Sequence, residues 1–285
     1  MDEVVAWLLD GDPAIRWQVE RDLLGQSGTE TRRLVASQGW GAQLLSHRQP
    51  DGSWSDGWYD PKWTSTFYSL QLLQQLGVPA PESVELLLAE GLRDDGEFAL
   101  WPSGRPDVCV TAMMLTMANE ADVNMPGTLH HLVTQQMPDG GWNCRKDATH
   151  ASFHTTLSTL EALAPLEGHD SQARSAGDRG REFLLAHHLY RSHRTGRVVR
   201  DTFTRFSFPC YWYFDVLRGL DYWRGFTYDP RLDDALGLLA GKRRKGTWTL
   251  QNKHPGRTWF DMETPGRPSR WNTLRALRVL RWARG

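Results

Sequence analysis

Three side chains in this 285-residue chain are of the types that ligate metal ions. Asp107 and Cys109 are separated by one residue, and His154 follows Cys109 by 45 residues. Carboxylate, thiolate and imidazole groups are all competent zinc ligands. Each residue also has an ordinary structural interpretation. Asp107 would be a helix N-cap, Cys109 a small buried apolar side chain, and His154 a hydrogen-bonded core histidine.

An internal repeat relates two of these residues. Three loops, the first and third of which read Asp-Gly-x-Trp, recur at intervals of 44 residues, with aspartates at Asp51, Asp95 and Asp139. In the segments that follow them, Thr64, Cys109 and His154 occupy one column with an equal spacing of 45 residues. A fixed period of this length indicates one supersecondary unit copied several times.

The repeated unit is helical. Apolar residues after each loop recur at three- and four-residue spacing, which is typical of helices. Segments of the same kind lie between them, at 29–47, 81–93, 126–137, 171–190 and 229–241. The N-terminus adds helices over 3–9 and 13–24, so we expect about twelve helices and no strand run.

Alternate helices differ in composition, and this difference predicts the fold. The helices after the loops carry bulky aromatics, whereas the others mix leucine with charged residues and would bury one face only. We expect an all-α (α/α)6 toroid, a closed double ring of six inner and six outer helices, in a single domain over 1–285. An open superhelical stack of hairpins is the alternative, since repeats alone do not dictate closure.

Composition excludes several classes of function. The formal net charge of −1 gives no indication of a nucleic-acid partner. No signal peptide and no apolar stretch of about 18 residues or more is present, so we expect no transmembrane segment, and contact with a membrane surface stays open. Three cysteines, an odd number, do not make a disulfide framework and fit the reducing cytoplasm.

The loops Gln49–Trp54 and Gln136–Trp142 resemble the QW repeats of squalene and hopene cyclases. The same double ring of helices belongs to the β-subunits of protein prenyltransferases. The resemblance extends over essentially the whole chain, which is long enough for one ring.

The cyclase acid motif is incomplete in this chain. Cyclases of this class protonate their substrate with the central acid of Asp-x-Asp-Asp-Thr-Ala, and the corresponding stretch here is Asp107-Val108-Cys109-Val110-Thr111-Ala112. A thiol with a pKa of about 8.5 cannot replace a carboxylic acid in protonating an alkene. Acid-initiated cyclisation is therefore disfavoured.

The prenyltransferase zinc motif matches better. Those enzymes bind zinc through Asp-x-Cys on one inner helix and a histidine, in a His-Thr context, on the next. The resemblance implies a Zn²⁺ ion on Asp107, Cys109 and His154. Cys144 and His150, in the loop just before the His154 helix, are a second-choice ligand pair. Two features depart from that family. Val110 replaces the tyrosine after the cysteine, and Arg105 is the only basic residue shortly upstream.

The inner-helix N-termini are predicted to surround a central aromatic pocket for an isoprenoid-like, apolar ligand. Arg270 is the candidate for holding an anionic head group there. The predicted wall residues are Trp63, Thr64, Phe67, Phe153, Tyr211 and Trp271.

These features predict a prenyltransferase-like or cyclase-like enzyme, with zinc as its cofactor and no catalytic residue assigned. Two alternatives stay open at this point. One is a terpenoid cyclase or isomerase that uses a different acid. The other is a non-catalytic ring that binds lipid or peptide, in which Cys109 and His154 are ordinary lining residues.

Overall fold

Helical periodicity in the sequence corresponds to α-helix along most of the chain. The structure, a computed structural model, describes residues 2–55, 57–100, 107–145 and 147–285. The α-helices of these ranges are α1 (Glu3–Leu9), α2 (Pro13–Leu24), α3 (Thr29–Leu34), α4 (Gly39–Leu45), α5 (Thr66–Leu76), α6 (Pro81–Gly91), α7 (Val108–Glu120), α8 (Thr128–Thr134), α9 (Phe153–Leu163), α10 (Ser171–Ala186), α11 (Val216–Trp223), α12 (Asp233–Gly241) and α13 (Arg270–Trp282). Strands β1 (Trp248–Thr249) and β2 (Pro268–Ser269) form one short antiparallel pair. The prediction of a mainly helical chain is confirmed.

Two predicted segments differ from the structure. The segment 29–47 contains two helices, α3 and α4, because Gly39, the first residue of α4, adopts a left-handed φ of 65°. The Gly39–Trp40 corner is held by Asp12, whose Oδ2 accepts a hydrogen bond from the Trp40 backbone at 2.8 Å. Tyr211, with a φ of 49°, lies before α11 and not within it, so its alignment with the helical column of Cys109 and His154 does not hold.

One set of helices packs side by side in chain order. Helix α5 packs on α7, α7 on α9, and α11 on α13. Between α2 and α5 the Trp17 indole donates to the Leu76 carbonyl at 2.9 Å, and between α9 and α11 Arg218 pairs with Glu161. The last helix, α13, then packs on α2. Helices α4, α6, α8, α10 and α12 lie against members of this first set.

The tryptophan loops join the two sets of helices. The Trp142 backbone N–H donates to the Thr156 hydroxyl at 2.9 Å, and the Trp142 indole donates to the Leu132 carbonyl at 2.7 Å. Trp54 bonds Thr66 and Leu44 in the same way, and Trp248 bonds Thr273 and Leu239. Each loop therefore connects the end of one helix to the start of the following one, α4 to α5, α8 to α9 and α12 to α13. Residues 246–248 form a further copy that the sequence spacing did not reveal.

No helix in the described ranges is long and apolar enough to cross a bilayer.

Candidate metal centre

Asp107, Cys109 and Cys144 form the one group of three or more potential metal ligands within the described ranges. Their ligand atoms all lie within 4.8 Å of one another. Two of these residues belong to the predicted ligand set. The third is Cys144, a member of the second-choice pair. It lies where the third ligand of the predicted set, His154, was expected.

The start of helix α7 positions Asp107 and Cys109. Asp107 occupies the N-cap position of α7, but its side chain accepts no hydrogen bond from the helix backbone. Its Oδ1 instead accepts a hydrogen bond from the Cys109 thiol, with a distance of 2.9 Å between oxygen and sulfur. The predicted capping role is therefore absent, and the carboxylate is turned towards the thiol.

Cys144 reaches this site because the Trp142 loop is fixed to the start of α9. Its Sγ accepts a hydrogen bond from the Cys109 backbone N–H at 3.2 Å and lies 3.2 Å from the Thr155 hydroxyl. Two anchors, one on α7 and one on α9, thus hold the second thiol.

The environment of the Cys109 thiol favours its protonated form when no cation is bound. The pKa of the Cys109 thiol is raised well above its usual value by the hydrogen bond with Cys144, by burial, and by the charge of Asp107. A cation would reverse this situation, because thiolate and carboxylate charges that repel one another are stabilised by a shared metal ion.

The donor set suits zinc. Zinc binds thiolate sulfur at about 2.3 Å and carboxylate oxygen at about 2.0–2.2 Å, so in a tetrahedral site its ligand atoms are about 3.5–3.8 Å apart. The ligand atoms here lie within 4.8 Å of one another, so shifts of about 1 Å would bring them to that geometry. Three protein ligands of these types also match the ligand number of catalytic zinc sites.

His154 lies outside this group. Its Nδ1 accepts a hydrogen bond from the Phe214 backbone N–H at 2.7 Å, and burial lowers its pKa to about 4. A neutral imidazole whose Nδ1 is the acceptor must carry its proton on Nε2, so neither nitrogen has a lone pair free for a metal. The other second-choice residue, His150, is exposed and is not part of the group either. Arg105 lies outside the described residues.

The predicted aromatic wall is only partly assembled. Trp63 stacks on Tyr211 with ring centroids 4.2 Å apart, and both line a pocket of about 40 Å³. The segment 253–263 occupies the rest of this space. The Trp63 indole donates to the Pro255 carbonyl at 2.7 Å, and the Trp259 indole donates to the Ser69 hydroxyl at 2.8 Å.

The remaining predicted wall residues lie elsewhere. Phe67 packs with Tyr68 in the core, and Phe153 packs among Phe183, Phe203 and Phe214. Thr64 is buried. Arg270 lies over the ring of Trp7 and donates to the Trp7 carbonyl, so it is directed towards α1.

Trp271 stacks on Phe208 at a centroid distance of 3.9 Å and borders a second, larger cavity of about 590 Å³. Side chains from the C-terminal parts of several helices line this cavity, and many are arginines and glutamines. Sequence reasoning missed this set. The available signal was the pair Arg275 and Arg278, one turn apart in a helix whose neighbouring positions are apolar.

No protein-family model matches this chain, and none of the curated proteins matches it. Among solved structures, a crystal structure of a protein from Actinoplanes is similar, with a TM-score of 0.50 at 17% sequence identity. The similarity covers 96% of this chain and 89% of that chain. At this level of identity the likeness shows a shared fold and nothing about activity.

Proposed function

We propose that this chain is a zinc-dependent enzyme built as a closed (α/α)6 toroid, with the metal on Asp107, Cys109 and Cys144. The approach of one carboxylate and two thiols to within 4.8 Å is the observation that carries the proposal.

Ring closure is supported by the contacts of the first and last inner helices. Arg278 of α13 pairs with Asp22 of α2 at 2.9 Å, and α13 packs along α2. An open stack of hairpins would leave α2 and α13 at opposite ends of the array, without such contacts.

Zinc with three protein ligands keeps a fourth position for water or a substrate thiol, whose pKa it lowers. The residues around the site have the roles of holding and orienting. Thr155 keeps the Cys144 sulfur in place through its hydroxyl, and Asp107 is fixed by the thiol of Cys109.

The two cavities favour a polar substrate over a hydrocarbon. Ligand pockets for small molecules typically have volumes of about 300–1,000 Å³. The aromatic pocket, at about 40 Å³, is far below that range, whereas the 590 Å³ cavity is within it and has a polar lining. The isoprenoid ligand stays a prediction of the family resemblance, and the cavities themselves do not add to it.

Zinc content measured by mass spectrometry on protein purified without chelators tests the proposal. We expect about one zinc ion per chain in the native protein and loss of most of it in Cys109→Ser and Cys144→Ser, because each change removes a thiolate ligand. Cys210→Ser is the matched control. Cys210 is buried beside Arg275 and outside the ligand group, so this variant should keep its zinc.

His154→Ala distinguishes the two ligand sets, and the proposal expects it to retain zinc. Loss of zinc in that variant alone would support the set predicted from sequence. A native protein free of zinc, with Cys109 and Cys144 joined in a disulfide, would contradict both.

A further inference from the structure

The 590 Å³ cavity is lined mainly by residues of α2, α5, α7, α11 and α13 and is separate from the metal centre. On α7 its lining begins at Met113 and continues to Glu120, whereas Cys109 lies one turn before Met113. At 1.5 Å of rise per residue, Glu120 is about 16 Å along the helix from Cys109. Tyr211 and Phe208 border both this cavity and the 40 Å³ aromatic pocket, and so lie between the two.

Positive charge is concentrated in this cavity. Three acidic residues line it, Glu120, Glu161 and Asp221, against six arginines. Two acids lie behind the wall: Asp22 pairs with two of those arginines, and the charge of buried Asp215 raises the pKa of Arg275, which brings the balance to six positive and five negative charges, an excess of one. The whole chain, by contrast, has a net charge of −1. The arginines are Arg21, Arg32, Arg218, Arg224, Arg275 and Arg278.

The acids are shared unequally among the arginines. Asp221 pairs with Arg224, Arg275 and Arg278 together. Burial alone would raise the pKa of Asp221, but these three guanidinium groups outweigh it and hold that pKa well below its usual range. The Asp221 carboxylate is therefore the shared ion-pair partner of three arginines.

Several donors in the cavity wall have no acceptor. Arg32, which is exposed like its neighbour Arg33, forms no ion pair with any described residue, and its one hydrogen bond runs from Nε to the Gly77 carbonyl at 2.7 Å. The two Nη groups of Arg32 have no acceptor among the described residues. Arg224 donates only through its Nε, to Asp221, so its Nη groups also have no acceptor among those residues. An arginine with free Nη groups presents the donor pair that binds carboxylate or phosphate.

Two buried side chains in the wall also have an unpartnered polar atom. The Trp271 Nε1 and the Gln71 Oε1 form no hydrogen bond with any part of the chain that the structure describes, although the residues are only 2% and 5% exposed. Buried polar groups are usually paired with protein, water or ligand. A cavity with an unused indole donor and an unused amide oxygen is suited to a polar ligand.

The helix dipoles account for only part of the arginine cluster. Cations are favoured within the last turn of a helix. Arg218 and Arg275, however, lie in the first half of α11 and α13, and Arg224 immediately follows α11. Arg218, Arg275 and Arg278 lie outside the last turns, and ion pairs with acidic side chains, not a helix dipole, hold them in the cavity wall.

We propose that this cavity binds a small anion carrying two or more negative charges, of the phosphate or polycarboxylate type. Asp221 and Asp22 leave an excess of positive charge at its wall, and Arg32 and Arg224 supply the free donors. This inference goes beyond the proposed zinc function and does not depend on it.

Calorimetric titration with pyrophosphate, and separately with citrate, at constant ionic strength tests the inference. We expect saturable binding at one site per chain, with acetate binding far more weakly. Arg32→Gln should weaken pyrophosphate binding by about tenfold, because it removes one charge-assisted contact. Arg33→Gln is the matched control, since Arg33 is one residue further along α3, is exposed, and pairs with Glu30.

Both probes also bind free zinc, so the titrations are repeated on Cys144→Ser protein, in which we expect the affinity to stay within about twofold. Equal losses of affinity in Arg32→Gln and Arg33→Gln would overturn the inference, as would the absence of saturable binding in the native protein. Binding that vanishes with Cys144→Ser would also overturn it, because the anion would then be on the metal.

Discussion

His254 is a buried histidine at the aromatic end of the molecule. Its ring stacks on Tyr213 with centroids 3.8 Å apart, and its Nε2 has no hydrogen-bond partner among the described residues. Burial lowers its pKa to about 4, compared with about 6.5 in an unfolded chain. Between about pH 4 and pH 6.5 the His254 imidazole is therefore mainly neutral in the folded protein and mainly protonated in the unfolded chain.

This difference predicts how stability depends on pH. Between pH 6.5 and pH 4 the unfolded state binds more protons at this position, so stability falls as the pH falls. The full contribution is present above pH 6.5, and the loss reaches about 3 kcal/mol near pH 4.

His254→Phe removes the titrating group. The difference in free energy of unfolding, native protein minus variant, should therefore decrease by about 3 kcal/mol between pH 6.5 and pH 4. A difference that is constant from pH 7.5 to pH 4 would contradict the assignment.

The metal ligands show what residue patterns can and cannot predict. The proximity of Asp107 and Cys109 was predictable, because their spacing and their position at a helix start are local properties; their role as metal ligands stays a proposal. The exchange of His154 for Cys144 was not, since the repeat column aligns helices, whereas Cys144 lies in a loop. The use of His154 Nδ1 by Phe214, 60 residues away, is a tertiary contact that no local pattern reveals.

At the scale of elements, the threonine column at 66, 111, 156 and 273 has a common structural role. Each hydroxyl accepts a hydrogen bond from the backbone N–H of the aromatic residue in the preceding loop. In three copies that residue is a tryptophan whose indole also caps a carbonyl of the preceding helix. The aromatic position of the second copy, Phe98, has no indole, so this copy lacks the second bond.

We expect Thr156→Val to destabilise the protein by about 2 kcal/mol, because the buried Trp142 N–H loses its acceptor. Thr159→Val is the control. Thr159 is equally buried, but its hydroxyl only donates to the Thr155 carbonyl within the same helix, so its loss should cost less than about 1 kcal/mol. Chemical denaturation measures both values, and equal losses would show that the loop contact is not a determinant of stability.

Periodicity predicted most helices because an amphipathic helix records its own burial pattern in sequence. It gave α1 and α2 with their observed bounds. It was less informative around residue 211, where bulky aromatics resemble an inner helix but the backbone turns before α11 begins. Aromatic content indicates burial there, not helix.

At the scale of the whole molecule, the two ends of the inner helices have different chemistry. Segment 253–263 fills the aromatic end through contacts with Trp63 and Ser69, about 190 residues earlier in the chain. The opposite end is open and rich in arginine. The sequence indicated the aromatic residues but not the segment that covers them, because long-range loop contacts have no periodic signature.

The central claim is that one zinc ion is bound by two cysteines and a carboxylate. Zinc K-edge X-ray absorption on chelator-free protein tests it most directly, because the technique counts sulfur ligands. We predict two sulfur atoms at about 2.3 Å and two lighter atoms at about 2.0–2.2 Å, with one sulfur lost in Cys144→Ser. A first shell with a single sulfur and an imidazole nitrogen, or protein without zinc, would contradict the account.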